Sequence, residues 1–250
     1  MWDKPDILDG FSNLLLAAAF LLAAYGAMHW VVRLPVFALR EVRINETPVH
    51  VTRDQFETIV RRQLRGNFFT LDLAQTRAAF EQLPWVRTAN LRRQWPDRLE
   101  VALEEHVPLA RWGNAALVNT YGEVFAAPAD RALPLFMGPE WSAKEMAIQY
   151  GYFQRSLSAI GQVPVQVLLS PRRAWQIRLD SGLTLELGRE RIEVRLDRFI
   201  ASYERSIGRL QRKLDYVDLR YPNGFAVRIP ELKHASQDRR RDGKPVRAAG

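Results

Sequence analysis

The 250 residues include no cysteine. That excludes disulfide staples, thiolate metal sites and cysteine nucleophiles, and it suits an oxidising compartment where stray thiols are a hazard. Histidine is nearly as scarce: His29, His50, His106 and His234 lie in four different segments. Neither a phosphate-cradling Gly-rich loop nor a nucleophile elbow is present. Glu104, Glu105 and His106 resemble a metal cluster on paper. On a strand, however, Glu104 and His106 share a face that Glu105 does not. Two candidate ligands without a third make a weak site, so a solvated strand end is expected there. Nothing marks a glycosidase-like carboxylate pair. The residues thus offer no motif for catalysis, a cofactor, a metal or a small-molecule substrate.

What the chain does contain is globular in balance, 47% hydrophobic and 26% charged. Beyond its N-terminal apolar stretch it is long enough for one large domain or two small ones. The net charge of +8 comes from 36 Lys plus Arg against 28 Asp plus Glu. Most of the cations are arginines spread along the chain. This favours a membrane-proximal or partner-facing surface over a nucleic-acid stripe.

Residues 14–32 read LLLAAAFLLAAYGAMHWVV. About nineteen residues at 1.5 Å each span roughly 28 Å, close to the hydrocarbon thickness of a bilayer. The run is apolar on every face, carries no permanent charge and places Trp30 near one interface. It is too long for the core of a cleaved signal peptide, and no small-x-small site precedes Arg33. A transmembrane helix over 14–32 is therefore expected, after a short segment 1–13. The flanks oppose Lys4 among Asp3, Asp6 and Asp9 to Arg33, Arg40 and Arg43. Counted alone, those charges place the large domain in the cytoplasm.

Two textures follow. Over 38–107 the rhythm is β-α-α-β-β. Val42 and Ile44 alternate with charged residues. Thr52 with Gln55 forms a capping box ahead of Phe56, Ile59, Val60 and Leu64 at helical spacing, and Gly66 supplies a stop. Asp72 with Gln75 opens a second helix that Pro84 closes, and a Pro96-Asp97 turn joins two strands. Over 108–230 short β-rich runs alternate with turns. Ser142 with Glu145 forms a third capping box for a helix ending near Gly161. A long amphipathic helix over 191–210 uses Val194, Leu196, Phe199, Ile200, Tyr203 and Ile207. A last hairpin turns at Pro222, Asn223 and Gly224. The tail 231–250, with Arg239, Arg240 and Arg241, is expected to be disordered. The fold class is α+β: one transmembrane helix, a β-α-α-β-β domain, and a β-rich domain with two helices.

Particular stretches carry a resemblance. GNFFTLDL at 66–73 and LPWVRTANLRRQWPDRLEVALEEHVPLARW at 83–112, then LGRE at 187–190 and VDLRYPNGFAVRI at 217–229, are similar to the FtsQ (DivIB) family of bacterial cell division proteins. The first pair resembles that family's POTRA domain and its exit, the second its later β domain. The very short, weakly basic segment 1–13 departs from the family, as does Ile229, where some relatives carry an aromatic residue. The resemblance implies a single-pass protein of the inner membrane with a cytoplasmic N-terminus and periplasmic domains, against the charge count. It implies recruitment to the division septum, with FtsB, FtsL and other divisome membrane proteins as partners and no nucleic acid. An alternative class is a POTRA-containing membrane-anchored assembly or transport factor, although 250 residues leave little room for the membrane β-barrel such a factor would end in.

A final strand is often an edge, and an extended partner segment can add to it. The candidate partner-binding residues are Arg172, Arg173, Arg220, Tyr221, Asn223, Gly224, Phe225, Ala226, Val227, Arg228 and Ile229. Within this set Tyr221 is expected to offer an aromatic anchor and Arg220 a charged one, Arg172 and Arg173 to meet acidic partner groups, and Ala226 to present an outward N–H.

Overall fold

The computed structural model describes residues 5–45, 47–64, 66–129, 131–203, 214–222 and 224–228. The chain divides into two compact units, Met1–His106 and Val107–Gly250.

The first unit opens with helix α1, Pro5–Val32. Its stretch Gly10–Val32, 23 residues, is long and apolar enough to cross a membrane and is 0% buried by the rest of the protein. It begins before the expected 14–32 because Gly10, Phe11, Ser12 and Asn13 add uncharged turns. A 3-10 turn, Pro35–Phe37, leads into the β-α-α-β-β domain. The elements are β1 (Glu41–Ile44), α2 (Arg53–Gln63), α3 (Leu73–Glu81), β2 (Val86–Gln94) and β3 (Arg98–Glu105). The sheet order is β1-β3-β2, with β1 parallel and β2 antiparallel to β3.

The helix starts form where the sequence places them. The Thr52 hydroxyl accepts from the Gln55 amide at 3.3 Å while the Gln55 side chain accepts from the Thr52 amide at 3.0 Å, a complete capping box. The Asp72 carboxylate accepts from the amides of Ala74 and Gln75. Phe56 of α2 and Phe80 of α3 stack at 5.2 Å over the fully buried Leu99 and Val101 of β3.

Glu105 departs from the solvated strand end. Its carboxylate accepts from the backbone amides of Val49 (3.0 Å), His50 (2.9 Å) and Val51 (2.9 Å), and lies 3.1 Å from Nδ1 of His50. The His50 ring stacks on Trp85 at 3.8 Å. Glu105 thus clamps the loop ahead of α2 to the end of β3. Burial pushes its carboxyl up, but the donors from His50, Val51 and Val49 outweigh it and hold it below the usual range.

The second unit continues the strand series from β4. The strands are β4 (Pro108–Trp112), β5 (Ala116–Asn119), β6 (Val124–Phe125), β7 (Leu135–Met137), β8 (Pro164–Leu169), β9 (Trp175–Leu179), β10 (Thr184–Gly188), β11 (Tyr216–Asp218) and β12 (Ala226–Arg228). Among the described residues they form one sheet in the order β12-β11-β10-β9-β8-β7-β4-β5-β6. Parallel neighbours need a crossover. Helix α4 (Ala143–Ser158) lies between β7 and β8 in the chain, and α5 (Ile192–Ser202) between β10 and β11. Met146, Tyr150, Phe153 and Leu157 repeat along one stripe of α4 and are all buried. They share one core with alternate residues of the sheet, among them Val167, Ile177, Leu185 and Val217.

Two expectations change here. Ser142 precedes α4 but makes no capping bond. A 3-10 turn, Glu140–Ser142, turns its hydroxyl to the Pro139 carbonyl at 2.6 Å, while Glu145 pairs with Arg173. In α5, Leu196 and Phe199 are buried and Ile200 and Tyr203 pack beside them, but Val194 is exposed. The helix presents a narrower apolar stripe than its composition allows. Ile207, Asn223, Ile229 and the tail 231–250 lie outside the described residues.

Candidate partner-binding site

The end of the sheet is built from β10, β11 and β12. β11 runs parallel to β10 and antiparallel to β12. The Leu219 amide donates to the Glu186 carbonyl, and the Asp215 carbonyl accepts from Thr184. Between these two bonds the N–H and C=O of Val217 point at β10, while the Asp215 amide, just ahead of β11, donates to the Arg228 carbonyl at 3.4 Å. Alternation along the strand aims the N–H and C=O of Tyr216 and Asp218 at β12. Tyr216↔Arg228 and Asp218↔Ala226 are then the hydrogen-bonded pairs, while the facing pair Val217↔Val227 is not. Among the described residues, the N–H and C=O that β12 turns away from β11 belong to Val227. Ala226, where the sequence alone put the outward N–H, is turned inward onto β11.

Side chains alternate to match. Val227 lies opposite the buried Val217 and is 37% exposed. Phe225 packs edge-on against Phe199 of α5 at 6.0 Å. Ala226 and Arg228 take the outer face, where the Arg228 guanidinium stands 5.2 Å over the Tyr216 ring.

The turn between these strands is held from α5. Arg198 donates to the carbonyls of Pro222 and Tyr221, the latter at 2.8 Å. That leaves the Tyr221 ring exposed, and Tyr221, Pro222, Gly224, Phe225 and Ala226 line a shallow pocket. Beside it, Arg220 grips Asp218 with two bonds, Nε at 2.9 Å and Nη2 at 2.7 Å. That hydrogen bonding holds the Asp218 carboxyl below its usual range and raises Arg220. Glu186, on the same face, is pushed up by burial.

A cavity of about 480 Å³ opens next to Arg220, lined also by Arg172, Arg189, Glu190 and Arg195. Gly188 makes it possible. Its φ is +77°, and a Cβ there would meet Arg195 at 2.8 Å and Arg220 at 3.0 Å. The structure brings Arg172 and Arg220 together from distant segments. It sends Arg173, at φ 62°, elsewhere: to Glu145 at 2.6 Å and over the Trp141 ring at 5.4 Å. Chemically, the described residues offer a terminal strand edge, an exposed aromatic ring and a cavity whose cations outnumber its one acidic residue.

Arg189, Arg195 and Arg198 were not among the expected site residues. Arg195 and Arg198 sit three apart on α5, and Arg195 donates to the Leu187 carbonyl at 2.6 Å. The only sequence signal is the i, i+4, i+7 spacing of Arg191, Arg195 and Arg198, which usually marks a solvated helix face.

Comparison with known proteins agrees with this architecture. The FtsQ-type POTRA domain matches residues 37–106. The C-terminal domain of cell division protein FtsQ/DivIB matches residues 110–220. The chain belongs to the FtsQ/DivIB family. It is similar to the cell division protein FtsQ of Nitrosospira multiformis, 46% identical over 91% of this chain and 99% of that one. It is also similar to FtsQ of Burkholderia pseudomallei, 43% identical over 93% and 96%, and of Bordetella pertussis, 32% identical over 98% and 99%. Membership supports a role in the divisome, and α1 fits the single membrane anchor of an FtsQ protein. The FtsQ/DivIB C-terminal match ends at Arg220, so Tyr221 and β12 are described by geometry alone.

Proposed function

We propose that the chain is a non-enzymatic scaffold of the divisome that recruits and links FtsB and FtsL at the division septum. A partner segment adds to β12 as a further strand. The carrying observation is the β12 edge, where Val227 has its N–H and C=O turned away from β11. Main-chain bonds there give affinity, and side chains choose the partner. Tyr221 supplies the aromatic contact, and the arginine-lined cavity receives acidic side chains of the partner. Other divisome membrane proteins join the same complex. α1 holds the chain in the inner membrane, N-terminus in the cytoplasm and both domains in the periplasm.

The test is co-purification of the full chain from detergent-solubilised membranes, with captured proteins identified by mass. FtsB and FtsL are expected together. Their absence, with the bait folded and other divisome proteins retained, overturns the partner assignment.

A further inference from the structure

We propose that the end of the β-α-α-β-β domain nearest α1 rests on the bilayer itself, with Phe69 and Trp95 as its interfacial anchors. The inference depends on α1 crossing a membrane and not on the partner reading above.

The apolar stretch of α1 ends at Val32. The last carbonyls of a helix lack partners within it. Here Asn67, from the loop between α2 and α3, reaches back to fill that need. Its Nδ2 donates to the Val32 carbonyl at 2.6 Å and approaches that of Leu34 at 3.5 Å. Its Oδ1 accepts from the amides of Phe69 and Thr70, each at 3.0 Å. The side chain is only 6% exposed, so this clamp is built in and not a passing surface contact. The Phe68 amide donates to the Phe37 carbonyl at 2.8 Å, and the rings of Phe37 and Phe69 meet edge-on at 5.1 Å.

The tip of the β2–β3 hairpin reaches the same place. The Arg40 amide donates to the Asp97 carbonyl at 3.0 Å. Arg93, near the end of β2, donates to the Leu71 carbonyl at 2.6 Å. Phe37 and Arg40 are three residues apart, about 10 Å at most. The Phe69 loop and the Trp95 tip are thereby both tied to the exit of α1.

Both aromatics are open: Phe69 is 46% exposed and Trp95 77%. Arg33 and Arg40 beside them are exposed too. Aromatic rings at headgroup level with arginines nearby are what a lipid interface recognises. The occupant is fixed by continuity, since the same segment that enters the bilayer carries the clamp. At the opposite end of β3 the exposed apolar residue is Val49, bonded to Glu105. Across eight residues of strand that is about 25 Å away.

Because the chain lacks cysteine, single-cysteine variants carry one fluorophore each. Phe69→Cys, Trp95→Cys, Val49→Cys and Leu21→Cys are labelled in the full chain. Each is reconstituted into vesicles of phosphatidylethanolamine and phosphatidylglycerol, with iodide on both sides. The probes at 69 and 95 are expected to be quenched by lipid spin-labelled near the headgroup, and by iodide at least about threefold less than the probe at 49. Phe69→Cys also removes a ring contact, so the exposed Trp95 position decides. A shielded probe at 21 with iodide access at 95 equal to that at 49 overturns the inference. Iodide access at 21 shows that α1 does not cross, and the inference falls with it.

Discussion

Glu105 shows how one carboxylate fixes a loop. It accepts from three successive amides, a concave array of N–H groups that in other settings holds an anion. Charge-assisted bonds of this kind are stronger than neutral ones, and leaving the donors half-satisfied is costly. Glu105→Gln is expected to destabilise the domain by about 2 kcal/mol at pH 7. The pH dependence has a definite sign. The folded-state pKa lies below the ordinary carboxylate value of about 4.5, so the stabilisation is complete above about 4.5 and fades as pH falls through the folded pKa. The gap between wild type and Glu105→Gln, measured by urea unfolding, should therefore narrow on acidification. A gap that widens toward low pH contradicts the clamp.

Among the elements, α5 and the terminal hairpin act together. Arg198 ties the hairpin turn to the helix through the Tyr221 and Pro222 carbonyls, and Phe199 supports Phe225 from the same helix. Arg198→Ala should leave the core intact, since Leu196 and Phe199 keep their contacts. It should loosen the turn: amide exchange at residues 219–221 is expected to rise about tenfold, an opening cheaper by about 1.4 kcal/mol. Unchanged exchange there means the turn stands without Arg198. The helix starts of α2 and α3 were legible in the sequence because capping is local, Thr52 to Gln55 and Asp72 to Gln75. The hairpin was legible from alternation and its turn residues. Which peptide faces the open edge was not. The parity of β12 is set by the bonds β11 makes to β10, whose paired residues lie 32 positions earlier in the chain. Ser142 misled for a related reason: its spacing fits a capping box, but a preceding 3-10 turn buries its hydroxyl. The cavity arginines were half legible, since Arg172 and Arg220 meet only when the sheet forms.

At the scale of the whole molecule, the flanking charges run against the proposed orientation. Arg33, Arg40 and Arg43 follow α1, while Lys4 precedes it among aspartates. Large domains can translocate despite adverse charge near the span. A reporter active only in the periplasm, fused after Pro230, is expected to be active. Activity of a cytoplasm-only reporter at that site, with the periplasmic one silent, reverses the proposed orientation. Such a reversal would leave the fold untouched, because the β-α-α-β-β core and the sheet core each form from their own buried residues. It would remove the route by which β12 meets its partner outside the membrane.

The edge itself is tested most directly by moving one proline along β12. Val227→Pro deletes the N–H proposed for the partner while sparing the bonds to β11, since proline is tolerated where an edge N–H faces outward. Val227→Ala trims the side chain but keeps that N–H. Ala226→Pro instead breaks the pairing with Asp218 and should lower the melting temperature. Titration of each folded soluble variant with FtsB, alongside thermal melting, is the measurement. Val227→Pro is expected to melt close to wild type and bind at least about tenfold more weakly, at least about 1.4 kcal/mol, with Val227→Ala near wild type in both. A folded Val227→Pro that binds FtsB at full affinity would contradict strand addition at β12.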